Sequence, residues 1–213
     1  VNIRTNPDNQ IFRAMDDDED IRILAEDIKR NGLMHNLVVF PEQEEGSAVY
    51  VLLSGERRFR ALNYLQEKGD ATWNIVNCNV VTTPLTENEK KVLLYSANLQ
   101  VRGGFSDEAI RRQAIAEFIT CLQREPYNMS REEALNATKI VSTVNPRTIE
   151  RDARIEEKLK GKLKTLLNDK FLTRSECETY LRFEADKQDE IANRFEKLQA
   201  VDCHSDDTES AGK

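Results

Sequence analysis

Strand-like periodicity stops at residue 81, and from Ser106 onward every recognisable signal is helical. That segregation constrains the fold more than any other feature of the chain. Strands alternating with helices throughout would argue one parallel α/β sheet, whereas strands gathered at one end argue an α+β chain. Leu37–Phe40 and Val49–Leu53 are β-rich runs joined by a polar Glu/Gln/Gly/Ser stretch, and read as paired strands. Ile75–Val81 is a third. Ahead of them, Ile21, Leu24, Ala25 and Ile28 follow the i, i+3, i+4, i+7 spacing of one helix face, with Gly32 at its C′ position. The acidic run Asp16–Asp20 suits the positive start of that helix. It reads as a solvated helix start, because no Gly-punctuated calcium-loop spacing follows.

A helix begins near Glu56, runs through Ala61, Leu62 and Leu65, and stops at Gly69. Thr86 to Glu89 is a capping box for the next helix, whose apolar face is Val92, Leu93 and Ala97. Gly103-Gly104 then breaks the pattern, and the domain boundary is placed there. The helical half follows: Asp107–Gln123, a second capping box at Ser130-Arg-Glu-Glu133, Asn145-Pro146 as N-cap and N1, and a third box at Thr173-Arg-Ser-Glu176. The expected organisation is a first domain over 1–103, an all-α domain over 104–200, and a polar, disordered tail over 201–213.

The chain has 213 residues and a net charge of −7, which by itself disfavours a nucleic-acid partner. The average hides a gradient. Residues 1–100 carry 11 basic against 16 acidic side chains, residues 101–170 carry 14 against 11, and residues 171–213 carry 6 against 11. The middle segment alone is positive, and it is the only candidate electrostatic footprint. No apolar run approaches the roughly 18 residues of a membrane span. The four cysteines (78, 121, 177, 203) show neither zinc spacing nor a disulfide framework, so a reducing cytoplasm is the expected compartment. His35 and His204 have no nucleophile at a recognisable spacing.

The most informative stretch is Ser54-Gly-Glu-Arg-Arg-Phe-Arg-Ala61. A strand that ends in Gly and passes directly into a helix presents unpaired N–H groups and a positive dipole end. Gly55 lets the backbone come close to a ligand. Arg57 and Arg60 share a helix face, and Arg58 points away from it. Guanidiniums at such a turn make a site for a polyanion, since Arg matches phosphate oxygens bidentately. The competing reading is a basic helix start paired with nearby carboxylates. The residues alone leave both open.

This stretch resembles the signature box of the ParB family of partition proteins. Ile3-Arg-Thr-Asn-Pro7 with Arg13 resembles the family's opening segment, and Leu24-Ala, Ile28 to Leu33 and Leu37-Val-Val39 resemble its following helix and strand. Asn98-Leu-Gln100 resembles a second motif, Glu-Asn-x-x-Arg. The resemblance implies a ParB/sulfiredoxin-like N-terminal domain followed by a helix-turn-helix domain. It implies that Gly55, Glu56, Arg57, Arg58, Arg60 and Asn98 contact CTP, with Glu56 and Asn98 near its Mg2+. The second motif departs from the family: Ala97 stands for its Glu, and Val101 for its Arg, with Arg102 one residue late. Losing that carboxylate removes a hard oxygen ligand and argues against metal-dependent hydrolysis, leaving at most a weak CTPase. The nucleotide loop holds no Cys, which argues against sulfiredoxin chemistry.

In the helical half, Ser130–Val141, the turn Ser142-Thr-Val-Asn145 and Pro146–Leu159 have the form helix, turn, helix. Arg147, Arg151, Arg154 and Lys158 form a basic stripe on the second helix. Arg147, Thr148 and Arg151 are the candidates for base contacts, and Arg154, Lys158, Lys160, Lys162 and Lys164 for phosphates. The competing reading pairs Glu150 and Glu157 locally with Arg154 and with Lys160 or Lys164. The family order, nucleotide domain then helix-turn-helix, favours double-stranded DNA. The resemblance further implies a nucleoid- or plasmid-associated role in partition, a partner ATPase, a homodimer and no membrane. Two alternatives stand beside it. One is a nucleotide-dependent enzyme on the same fold, kinase-like or of the kind named ParB-like nuclease. The other is a helix-turn-helix regulator whose first domain binds partners but no nucleotide.

Overall fold

The computed structural model describes residues 2–13, 18–44, 47–101 and 107–206. Gly103-Gly104, Arg102 and the last residues of the expected tail, 207–213, lie outside them. The alternation within two central strands decides the first half. Strands β2 (Leu37–Glu44) and β3 (Ser47–Ser54) pair antiparallel, with Val39 opposite Leu52 and Phe40 opposite Val51. Period-two alternation sends Leu37, Val39 and Leu52 to one face, and Phe40, Val51 and Leu53 to the other. The first face is covered by α2 (Asp18–Asn31) and α3 (Glu56–Glu67), through Ile21, Ala25, Ile28, Ala61, Leu62 and Leu65. Two short strands complete the sheet in the order β1-β3-β2-β4. β1 (Asn2–Arg4) lies parallel to β3, and β4 (Cys78–Val80) parallel to β2. The chain is therefore α+β, as the segregation of periodicities requires.

Local signals place most helix ends. Gly32 (φ +81°) closes α2 and donates to the Ile28 carbonyl at 2.8 Å. Asp70 accepts from the Thr72 N–H and turns the chain into a 3-10 segment, Ala71–Asn74. That segment ends at Asn74, just before the expected third strand Ile75–Val81, of which Cys78–Val80 pairs with β2. Near the N-terminus, Asn6 caps a 3-10 turn at Pro7–Asn9 that leads into α1 (Gln10–Arg13).

α4 (Glu87–Val101) joins the two halves. Lys90, near its start, lies over the Phe40 ring on the second sheet face. Its buried Val92, Tyr95 and Leu99 pack with α5 (Glu108–Gln123), α6 (Arg131–Val141) and α7 (Pro146–Lys158). Phe12 is fully buried in the same cluster, edge-on to Tyr95. A third core, around Ile155, Leu163 and Leu167, joins the end of α7 to α8 (Gly161–Asn168), α9 (Arg174–Tyr180) and α10 (Ala185–Asp206). α10 continues to Asp206, which corrects the tail expected from residue 201.

Candidate functional site

Gly55 sets the geometry of the first candidate site. It is the N-cap of α3 with φ +104°, a left-handed conformation that L side chains rarely adopt. A Cβ at this position would lie 2.8 Å from Leu37 Cδ2 and 3.2 Å from the Arg58 guanidinium. Only glycine lets β3 turn into α3 against Leu37 without displacing buried atoms. Glu56 follows at the first helical position and is only 8% exposed.

The three arginines divide as helix geometry requires. Arg58 turns back toward the sheet and donates to the carbonyls of His35 and Asn36, the latter at 2.9 Å. Burial lowers its guanidinium from the ordinary Arg value, and its bonds tie the loop before β2 to α3. Arg57 and Arg60 face the start of α2. Arg60 donates to Asp18 at 3.1 Å, and Arg57 lies 3.7 Å from Asp20. Asp18 and Asp20 of the acidic run and the arginine box are therefore one electrostatic unit, while Asp16 and Asp17 lie outside the described residues. Each had a separate explanation in the sequence. Asn98, the remaining member of the predicted nucleotide set, bonds through Nδ2 to the Leu94 carbonyl at 2.9 Å and to Asn9 Oδ1 at 3.4 Å. Asn9 is buried, so the N-terminal turn and α4 are joined at this point. Among the described residues no group of three His, Cys, Asp or Glu side chains could hold a metal ion.

The second candidate site lies on α6 and α7. Ser130 and Glu133 form a reciprocal capping box on α6, and Asn145 caps α7 with Pro146 as its first residue. The Thr143 N–H in the intervening turn donates to the Leu99 carbonyl at 3.2 Å, so the last turn of α4 fixes that turn. Ile149, Ala153 and Ile155 are buried, which leaves Arg147, Arg151, Arg154 and Lys158 on the outer side of α7. Thr148 is half-buried beside Ile149.

Their partners differ from the local pairs that the spacing allows. Glu150 bonds Lys139 of α6, and Glu157 bonds Arg131. Arg151 and Arg154 both go to Glu178 of α9, Arg151 bidentately at 3.0 and 2.6 Å and Arg154 at 2.9 Å. Glu178 is 24% exposed, and the Arg151 hydrogen bond holds its carboxyl below the usual range. Beneath them Asp152, fully buried, accepts from Arg111 Nε at 2.7 Å, with Arg174 Nε at 3.9 Å. Burial pushes the Asp152 carboxyl up, against the pull of those arginines. Arg112 is also buried and donates to Asn168 at 2.6 Å, so α5 is tied to α8 by this hydrogen bond and to α7 and α9 by ion pairs. The composition gave no sign of this buried layer.

Residues 1–90 match the family described as the ParB N-terminal domain. No curated protein matches the chain. Among the solved structures that resemble it are two forms of one protein. One is the C-terminally truncated chromosome-partitioning protein ParB from Caulobacter crescentus complexed to the centromeric parS site, at 14% identity and a TM-score of 0.55, covering 90% of this chain and 86% of that one. The other is the same truncated Caulobacter crescentus protein complexed with CTP-gamma-S, at 19% identity and a TM-score of 0.34, covering 90% and 93%. The first likeness extends the shared fold into the helical half. On the match over its first 90 residues, with the arginine box of α3 inside it, the chain carries an N-terminal domain of the ParB family.

Proposed function

We propose that this chain is a ParB-like DNA-binding partition protein, with α6–α7 as its DNA-reading unit and the turn at Gly55 as a nucleotide switch of the CTP type. The observation that carries the reading is that turn. A left-handed glycine opens α3 beside Arg57, Arg58 and Arg60, inside a domain of the ParB family. Phosphates at the start of α3 would gain its N–H groups and dipole, and Arg57 and Arg60 would exchange Asp20 and Asp18 for them. Arg58 keeps the loop before β2 in place while they do so. Magnesium would enter on the triphosphate, with Glu56 and Asn98 as its candidates on the protein side. The neighbour complexed with centromeric DNA supports the other half of the reading. So does the outer face of α7, where Arg147, Arg151, Arg154 and Lys158 stand. Nucleoid or plasmid association, a partner ATPase and a homodimer belong to the same proposal. Among the described residues no helix is long and apolar enough to cross a membrane.

A second reading has one specific observation in its favour. Arg57 and Arg60 already meet carboxylates, as they would in a regulator whose first domain binds no nucleotide. Binding of labelled CTP, ATP and GTP with magnesium, with and without duplex DNA, separates the two. The switch reading expects CTP to bind and Arg57→Ala to weaken it about tenfold or more. Absence of nucleotide binding with DNA binding intact would establish the regulator instead. On the DNA side, Arg151→Ala should cost about 1–3 kcal/mol of specific binding. An equal loss on every sequence would make Arg151 a phosphate contact.

A further inference from the structure

Two of the cations assigned to DNA already have an acceptor in the folded chain, and it comes from outside the helix-turn-helix. Glu178 takes Arg151 Nε on Oε1 and Nη2 on Oε2, and Arg154 Nη2 on Oε1. By contrast, Arg147 and Lys158 on the same helix have no ion pair among the described residues. The contact is not a chance meeting of two long side chains. α9 is started by the reciprocal Thr173–Glu176 capping box and anchored by the buried Cys177. Arg174, one turn before Glu178, reaches Asp152 on α7 and Glu108 on α5. Glu178 is therefore delivered to α7 by a docked helix. Bidentate pairing also fixes the plane and direction of the Arg151 guanidinium.

A carboxylate at this place acts against one class of DNA contact. Non-specific binding rests on phosphate contacts, each of which releases about one counterion. With Glu178 present, the trio offers one net positive charge instead of two, and its carboxylate repels phosphates that approach Arg154. Glu178 takes Nε and one hydrogen of Nη2, so the Nη1–Nη2 edge of a guanidinium held in one plane can still meet the two aligned acceptors of a base edge. We propose that Glu178 is a specificity-determining residue of the DNA interface, which positions Arg151 for base edges and withholds Arg151 and Arg154 from the phosphate backbone. This rests on the DNA-binding reading above, and it extends the readout unit from α6–α7 to α9.

The test compares wild type, Glu178→Gln and Glu178→Asp on two probes. One is a random-sequence duplex, and the other is the duplex that wild type enriches from a random pool. Both are titrated over a range of salt, and circular dichroism melting checks the fold. Glu178→Gln should tighten binding to the random duplex about 3–10-fold and steepen its log–log salt slope by about 0.9. Affinity for the enriched duplex should change less, so discrimination falls. Glu178→Asp keeps the charge and should keep the salt slope, but its shorter side chain loses the bidentate hold on Arg151, so discrimination should fall. Wild-type discrimination in a folded Glu178→Asp overturns the positioning role whether or not Glu178→Gln folds. A folded Glu178→Gln with the slope and discrimination of wild type overturns the role of Glu178 alone. So does a Glu178→Asp whose slope matches that of Glu178→Gln. Wild type that enriches no sequence overturns the DNA reading, and this inference with it.

Discussion

The chain contains two arginine clusters that face carboxylates, and they are built in opposite ways. At α3, Arg57 and Arg60 meet Asp20 and Asp18 through single contacts of 3.7 and 3.1 Å, and the two carboxylates are 59% and 84% exposed. Pairs of that kind contribute little in water, so the cluster is not positioned by its ion pairs. Its geometry comes from the backbone, through Gly55 and the two carbonyls that hold Arg58. At α7, Arg151 and Arg154 share one half-buried Glu178, bidentate to Arg151, above a layer in which Asp152, Arg111 and Arg112 are withdrawn from solvent. There the side chains themselves fix the helices. The first cluster is a site that a stronger anion can take over at small cost, and the second is a surface whose charges are assigned by the fold.

The largest expected effect breaks the second cluster from below. Asp152→Ala takes from buried Arg111 its 2.7 Å acceptor and leaves it Glu108 at 3.5 Å, and removing one partner of a buried pair costs about 3–5 kcal/mol. Chemical denaturation of the full chain checks this, and a loss below about 1 kcal/mol would mean that the layer is not structural. Gly55→Ala is next and tests the claim that the first cluster rests on backbone. With φ at +104° and Leu37 Cδ2 2.8 Å from the added carbon, it should cost about 1–3 kcal/mol in the same experiment. It should also weaken anion binding more than Asp18→Asn changes it. The third effect concerns pH. The folded-state carboxyl of Glu178 lies below its unfolded value, so its contribution is complete above about pH 4.3 and is lost as pH falls through the folded value. The stability difference between wild type and Glu178→Gln should be constant near neutrality and shrink on acidification. A difference that grows on acidification would show the opposite sign of coupling.

What the sequence disclosed follows the same division. Thr86 with Glu89, Ser130 with Glu133 and Thr173 with Glu176 are bonds between residues three apart, so their helix starts were legible from spacing alone. The split of the arginine box was legible too, because one turn of helix fixes that Arg57 and Arg60 share a face that Arg58 does not. Contacts between distant segments were not. Glu178 lies 27 positions from Arg151, and nothing in its neighbours marks it as the acceptor for α7. The i, i+4 spacing suggests Glu150 with Arg154, but Glu150 bonds Lys139 of α6, eleven positions away, which the packing of α6 on α7 brings near. β1 escaped notice because a three-residue parallel strand shows no period, and Phe12 because a lone aromatic does not announce which core receives it. Asp18 to Asp20 open α2, as their place before its apolar face suggests, but the pairing of Asp18 and Asp20 with the arginine box depends on how α2 packs against α3.

That packing supplies the smallest effect and the sharpest test of the contrast. Asp18→Asn and Asp20→Asn remove the carboxylates that stand where phosphates would sit, without touching Gly55 or the bonds of Arg58. Exposed pairs of this kind are worth about 0.2–1 kcal/mol, so the double variant should bind CTP about 2–5-fold more tightly and melt at the wild-type temperature. Isothermal titration calorimetry with inorganic triphosphate as a second probe separates a charge effect from recognition of the base. Equal tightening for both ligands is the expected outcome, because Asp18 and Asp20 oppose Arg60 and Arg57 and act only on the anionic part. A fall in affinity would overturn the contrast, since it would make the two aspartates part of the ligand's own support. The first cluster would then be preorganised by its carboxylates in the way that Glu178 organises the second.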